Sequence, residues 1–257
     1  MRLLLYNIRY GAGTGRRFHS PLPYSGYFKT VNGNFARIVR YIQSAKPDII
    51  GLVEADFGTY RVDHTNQAEA IARALNHTAV YRTKYNDQSL MSRVPLLKKQ
   101  GNAVLTSREI LDTRFHYFQN GVKRLIIEVE LAEVTIFLVH LSLKFRHRQY
   151  QLQDLHNLIA GCTKPVVVAG DFNAVWGQRE FQLFLAASQL TSANNLGAAS
   201  WPSRAPLLQL DYIFHSPQIR TTRFHIHPVN LSDHRPFLWD FEVLDGADPT
   251  QNKSLIA

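Results

Sequence analysis

The chain has 257 residues, with 29 Lys and Arg against 20 Asp and Glu, and carries a formal charge of +9 at pH 7. Hydrophobic residues at 45% and charged residues at 19% are the proportions of a folded globular chain, which excludes a disordered or collagen-like polymer. No apolar run reaches the roughly 18 residues of a membrane span, and one cysteine, Cys162, excludes an intramolecular disulfide and a cysteine-based zinc site.

The first apolar run, Leu3 to Tyr6, predicts a strand ending at Asn7. A Gly-, Pro- and aromatic-rich loop from Gly11 to Gly33 follows, with Tyr24, Tyr27 and Phe28 beside Arg16, Arg17 and Lys29. Phe35, Ile38, Val39 and Ile42 then fall at helical spacing, in a helix that stops before Pro47. Asp48 to Val53 predicts a buried strand that delivers Glu54 at its end. Asn66-Gln67-Ala68-Glu69 resembles a capping box opening a helix through Leu75.

The middle of the chain is more β-like. Asn102 to Leu105 is a short strand, and Arg124 to Leu131 pairs with Val134 to His140 around a turn at Ala132-Glu133. Arg146 to Ile159 reads as a helix and Val166 to Ala169 as a buried strand running into Gly170-Asp171-Phe172-Asn173. A helix around Arg179 to Ala187 precedes strands centred on Tyr212 to Phe214 and Phe237 to Trp239. His225 and His227 alternate on a strand and share a face, but no third metal ligand accompanies them. Strands alternate with helices from end to end, which argues for one domain over residues 1–245 and a polar tail over 246–257.

Polar residues recur at the ends of these apolar runs: Asn7, Glu54, His140, Asp171, Asn173, Asp211, Asp233 and His234. Strand ends are where side chains distant in sequence converge in layered α/β folds. Each alone has a plain structural reading, as a turn former or a cap. The set taken together points to a site of carboxylates, amides and histidines at a core edge.

The ordered segments Leu5-Tyr6-Asn7-Ile8, Gly51-Leu52-Val53-Glu54, Gly101-Asn102-Ala103-Val104-Leu105, Val139-His140-Leu141, Gly170-Asp171-Phe172-Asn173, Leu210-Asp211-Tyr212 and Ser232-Asp233-His234 resemble the endonuclease/exonuclease/phosphatase superfamily. That resemblance implies a four-layer α/β sandwich, two mixed and mainly antiparallel sheets packed face to face with helices outside. It also implies Mg²⁺-dependent phosphoester hydrolysis, with Mn²⁺ as a substitute. Glu54 is then the leading metal ligand, with Asn7 and Asp233 beside it. Asp171 and Asn173 orient a water, and Asp211 fixes the tautomer of His234. Whether Asp171 or His234 takes the water's proton stays open. His140 resembles the histidine of deoxyribonuclease I and the sphingomyelinases rather than the Asn-x-Tyr of abasic-site enzymes. Asn102 and Arg124 are candidate phosphate contacts, against the competing readings of a structural Asn and an exposed strand-end Arg.

Basic charge favours a nucleic-acid substrate, DNA or RNA. A phospholipid or sugar-phosphate headgroup is the alternative substrate for the same machinery. The expected protein is a cytoplasmic monomer with no obligate protein partner, since Met1 to Asn7 is too short for a secretory signal.

Overall fold

The computed structural model describes residues 1–14, 31–84 and 98–244. The predicted tail over 246–257 lies outside them, as do residues 15–30 of the predicted Gly11–Gly33 loop, including Arg16, Arg17, Tyr24, Tyr27, Phe28 and Lys29.

Strand β1 (Arg2–Asn7) shows how the layers arise. Leu3 and Leu5 point to one face and Leu4 and Tyr6 to the other, and all four are buried. A strand covered on both faces needs such a continuous apolar run. After β1 come helix α1 (Asn32–Ala45), β2 (Ile49–Asp56), α2 (Gln67–Leu75), β3 (Thr78–Thr83), β4 (Gln100–Thr106) and β5 (Ile110–Tyr117). Then follow β6 (Leu125–Leu131), β7 (Thr135–His140), α3 (Phe145–Ile159), β8 (Val166–Asp171), α4 (Gln182–Ser188), β9 (Thr191–Ser192), β10 (Asp211–His215), β11 (Ile219–Ile226) and β12 (Phe237–Val243).

Among the described residues the strands form two six-stranded sheets, ordered β11-β12-β1-β2-β4-β3 and β5-β6-β7-β8-β10-β9. β1 and β2 run parallel, as do β7 and β8, and the other pairs are antiparallel. Leu3, Leu5, Ile49 and Val104 from the first sheet meet Ile127, Leu138 and Val167 from the second in the central core. Phe35, Ile38 and Ile71 of α1 and α2 cover the outer face of the first sheet, and Leu152, Leu155 and Phe184 of α3 and α4 cover that of the second. The result is the expected four-layer α/β sandwich. No helix among the described residues is long and apolar enough to cross a membrane.

Local signals hold where side chains act locally. Asn66 Oδ1 accepts from the N–H groups of Ala68 and Glu69 at 3.0 and 3.3 Å and caps α2. Glu69 instead accepts from Tyr81 OH at 2.6 Å, an alternative partner to the N-cap N–H of a reciprocal capping box. The helix predicted around Arg179 begins instead as a 3-10 turn, Gly177–Phe181, and α4 follows it.

Ile127 is fully buried between the sheets. Ile127→Ala is expected to lower unfolding free energy by about 2–5 kcal/mol in urea titration, because it leaves a cavity the rigid sheets cannot close. Leu183→Ala, on a side chain 85% exposed, should stay within about 0.5 kcal/mol of wild type.

Candidate active site

Chain direction decides which side chains meet. The C-terminal ends of the parallel pairs β1/β2 and β7/β8 carry Asn7, Glu54, His140 and Asp171. Their antiparallel neighbours begin at that same edge, which brings in Asn102 from β4, Asp211 from β10, and Asp233 and His234 just before β12. The two sheets face each other, so the polar ends of both converge over the central core.

Glu54 lies within β2, two residues before its end, and not beyond the strand as the sequence suggested. A register shift between Leu52 and Ala55 forms a bulge there, and Glu54 adopts φ 57°. That left-handed backbone is costly for a non-glycine residue, and Asn102 Oδ1 supports it by accepting from the Glu54 N–H at 3.3 Å. Asn102 is therefore structural at its carbonyl. Its buried Nδ2 has no hydrogen-bond partner, so the amide still presents one donor.

Asp171 joins the two sheets. Its Oδ2 accepts from Asn7 Nδ2 at 3.0 Å and lies 3.4 Å from His140 Nε2 and 3.9 Å from His234 Nε2. Its Oδ1 accepts from the backbone N–H of Asn173 at 3.0 Å, and Asn173 Nδ2 donates to Leu141 O at 2.9 Å. Gly170 permits this approach: a Cβ there would sit 2.0 Å from Val139 O. Burial pushes the Asp171 carboxyl up to about 6, with His234 opposing and Asp211 adding to the rise.

His234 Nδ1 donates to Asp211 Oδ2 at 2.7 Å, and Ser200 Oγ donates to the same oxygen at 2.6 Å. Burial disfavours the imidazolium, but the adjacent Asp211 carboxylate outweighs it and raises His234 to about 10. Burial, reinforced by Lys123 and Lys84, pushes His140 well below its usual range, so it is neutral. The two histidines thus hold opposite charge states side by side.

Two lysines complete the site that the sequence reading did not single out. Lys84, just beyond β3, places Nζ 3.6 Å from Glu54 Oε1 and donates to Tyr10 OH at 2.7 Å. Lys123 contacts His140 Nε2. Burial pushes the Glu54 carboxyl up, but Lys84 and Lys123 together hold it below its ordinary value. Arg124 does not join this group through any described contact; its Nε donates to Phe118 O and closes the β5–β6 connection. Lys123 and Arg124, adjacent in the connection before β6, thus have separate partners. Asp233 Oδ2 pairs with Arg9 Nε at 3.4 Å and Asp233 Oδ1 accepts from Ser232 Oγ at 3.2 Å. His225 and His227 pack edge to face 4.7 Å apart, away from these residues, and His227 also packs on Tyr41.

A hard divalent cation fits beside Glu54. The carboxylate already faces an ammonium at 3.6 Å, and the Asn7 amide oxygen, which accepts one hydrogen bond from the Arg9 N–H at 3.1 Å and keeps a second lone pair, is a further oxygen of the hard kind Mg²⁺ takes. Asp171, Asp211 and His234 also offer donor atoms within 4.8 Å of one another. That trio suits an ion less well, because Asp211 Oδ2 already accepts two hydrogen bonds and His234 carries its proton.

A family model described as "Endonuclease/Exonuclease/phosphatase family" matches residues 4–234. Solved structures agree on the fold. An endonuclease/exonuclease/phosphatase from Beutenbergia cavernae superposes with a TM-score of 0.70 at 17% identity, covering 95% of this chain and 72% of that one. The human Nocturnin catalytic domain with bound sulfate gives 0.67 at 20% identity, covering 95% and 94%. A mannosyl-6-phosphatase from Bacteroides thetaiotaomicron gives 0.67 at 15%, covering 94% and 99%. No curated protein matches the sequence. The chain belongs to the endonuclease/exonuclease/phosphatase family, whose members hydrolyse phosphoesters.

The Asp211–His234 pair makes a direct prediction. By NMR in chelator, His234 should titrate near pH 10 in the wild type and at clearly lower pH in Asp211→Asn, where burial is opposed only by the more distant Asp171 and Asp233 carboxylates. Because the folded value is raised, the pair's contribution to stability is full below pH about 6.5 and is lost as pH rises toward 10. A His234 that still titrates near 10 in Asp211→Asn would remove Asp211 as the cause.

Proposed function

We propose that this family member is a divalent-metal-dependent phosphodiesterase acting on nucleic acid, DNA or RNA, with residues 1–245 as one cytoplasmic catalytic domain. The observation that carries the chemistry is the charged His234–Asp211 pair facing the buried Asp171 carboxylate across the sheet seam, next to Glu54. The formal charge of +9 supports a polyanionic substrate.

Glu54 and Asn7 would hold Mg²⁺, with Mn²⁺ as a substitute and Asp233 within electrostatic reach of Glu54. The ion, when bound, would neutralise charge on a non-bridging phosphate oxygen. Asp171, largely ionised at neutral pH, is the group placed to take the proton of the attacking water. Asn7 and Asn173 hold that carboxylate in one orientation. His234 enters as an imidazolium and donates from Nε2 to a phosphoryl oxygen as negative charge develops there. Protonated in the ground state, it cannot also be the base. Asp211 keeps the proton on Nδ1 and compensates its charge. Asn102 Nδ2, Lys123 and neutral His140, grouped around Glu54 and Asp171, would contact the remaining phosphate oxygens, with Arg124 no longer required there.

The test is a hydrolysis panel of plasmid DNA, oligonucleotides, RNA, sphingomyelin and phosphoinositides, run with Mg²⁺ and with excess EDTA. Nucleic-acid cleavage abolished by EDTA supports the reading, and cleavage of lipids alone or full activity in EDTA refutes it.

Glu54→Gln, close to isosteric but uncharged, is expected to lose at least about 100-fold in kcat/KM, or roughly 2.7 kcal/mol, with an unchanged circular-dichroism spectrum. Near-wild-type turnover at limiting Mg²⁺ would take Glu54 out of the metal site. His234→Ala should cost at least as much as Asp211→Asn, and the double variant should be little worse than His234→Ala, since the two act as a unit. Additive losses in kcat would mean that they work independently.

A further inference from the structure

Two segments leave the catalytic edge of the second sheet: residues 141–145, from His140 into the first residue of α3, and residues 174–181 after Asn173. Phe145 is 50% exposed and Trp176 is 73% exposed. Both rings lie near cations in the chain, in Lys144-Phe145-Arg146 on one segment and with Arg179 three residues after Trp176 on the other, and all three cations are exposed.

The backbone that carries these rings is held in place. The guanidinium of Arg148, fully buried, donates from Nε and Nη2 to Glu180 Oε2 at 2.8 and 2.6 Å. Its Nη1 donates to Ser142 O and Leu143 O at 3.1 and 2.6 Å, and it lies 5.9 Å over the Phe145 ring. The other oxygen of Glu180 accepts from the Trp176 N–H at 3.1 Å. One buried ion pair therefore anchors both aromatic segments. Such pairs carry a large desolvation penalty and are weak evidence of stabilisation, so a positioning role accounts better for its presence. Gln151 ties the same edge to the β5–β6 connection, donating to Lys123 O at 2.7 Å and accepting from Ser142 N at 2.9 Å.

We propose that Phe145 and Trp176, with Lys144, Arg146 and Arg179, form a stacking platform for single-stranded nucleic acid leading into the active site. The inference rests on the nuclease reading and narrows it from nucleic acid in general to an unpaired strand. Exposed rings take up base faces, which a duplex hides in its own stack, while interleaved cations follow the backbone. Phe145 lies five residues after His140 and Trp176 three after Asn173, so both rings are carried by chain that leaves the catalytic edge directly. A lipid surface is the competing occupant, because Leu143 and Leu183 are exposed too. Cations on both sides of Phe145 interrupt the continuous apolar face that insertion needs.

The experiment titrates the full chain, with Mg²⁺, against a cleavage-resistant phosphorothioate 12-mer as a single strand and as a duplex, following tryptophan emission and anisotropy of a labelled strand. The single strand should quench Trp176 emission. Trp176→Ala and Phe145→Ala should each weaken single-strand binding by roughly 5- to 100-fold and duplex binding less than about twofold, with Trp176→Phe restoring most of the affinity. Thermal midpoints of the three variants should match wild type. Equal losses on both ligands, or none on the single strand, would overturn the platform while nucleic-acid cleavage by the wild type still stood. Vesicles of phosphatidylcholine and phosphatidylserine that bind through Trp176 and Leu183, with the 12-mer unaffected, would overturn it in favour of a lipid surface. Absence of any nucleic-acid cleavage in the hydrolysis panel is a separate result and would take the nuclease reading down with it.

Discussion

The Asp171 carboxylate is where the two sheets meet chemically, and the site is organised around it. One oxygen is bonded to Asn7 of the first sheet and the other to the chain just beyond β8. Both sheets carry a central parallel pair flanked by antiparallel strands, so each presents its functional ends at the same edge. Packing the sheets face to face then brings residues 164 positions apart in sequence within hydrogen-bond distance. The apolar core below excludes water from their stems and leaves only the polar tips to form a site.

Gathering buried carboxylates in this way is unfavourable unless positive charge accompanies them. Glu54, Asp171, Asp211 and Asp233 are matched by Lys84, Lys123, Arg9 and His234. The consequences are visible in the proton affinities. Asp171 is raised toward neutrality by burial, His234 is held as a cation by Asp211, and His140 is stripped of its charge by burial and the two lysines. Backbone strain is present at the same place, with Glu54 and Asn173 both at positive φ. Opposed proton affinities and local strain within one cleft are the usual marks of a site built for chemistry rather than for stability.

The central strands and helices α1 to α4 were legible because their residues are apolar at a clear period, as in Leu3 to Tyr6 or Phe35, Ile38 and Ile42. Strands β3 and β5 were not, because each lies at a sheet edge and mixes exposed with half-buried residues. Missing β3 also hid Lys84, which matters only because that strand brings it level with Gln100 and so beside Glu54. Arg124 was legible as a candidate because a guanidinium suits bidentate phosphate contact, but its Nε donates to Phe118 O, and the neighbouring Lys123 reaches His140.

By itself, the sequence determined which residue types would end the apolar runs, and with them the layered class of fold and the family of chemistry, because burial patterns and short motifs are local properties. Only the tertiary structure decided which of those residues touch. Whether Asn7 reaches Asp171, whether His234 keeps its proton and whether Lys84 stands against Glu54 all depend on strand register across two sheets. They depend equally on a local dielectric that no linear spacing encodes. Charge state in a buried site is a property of the assembled neighbourhood, and that neighbourhood exists only once the sheets have packed.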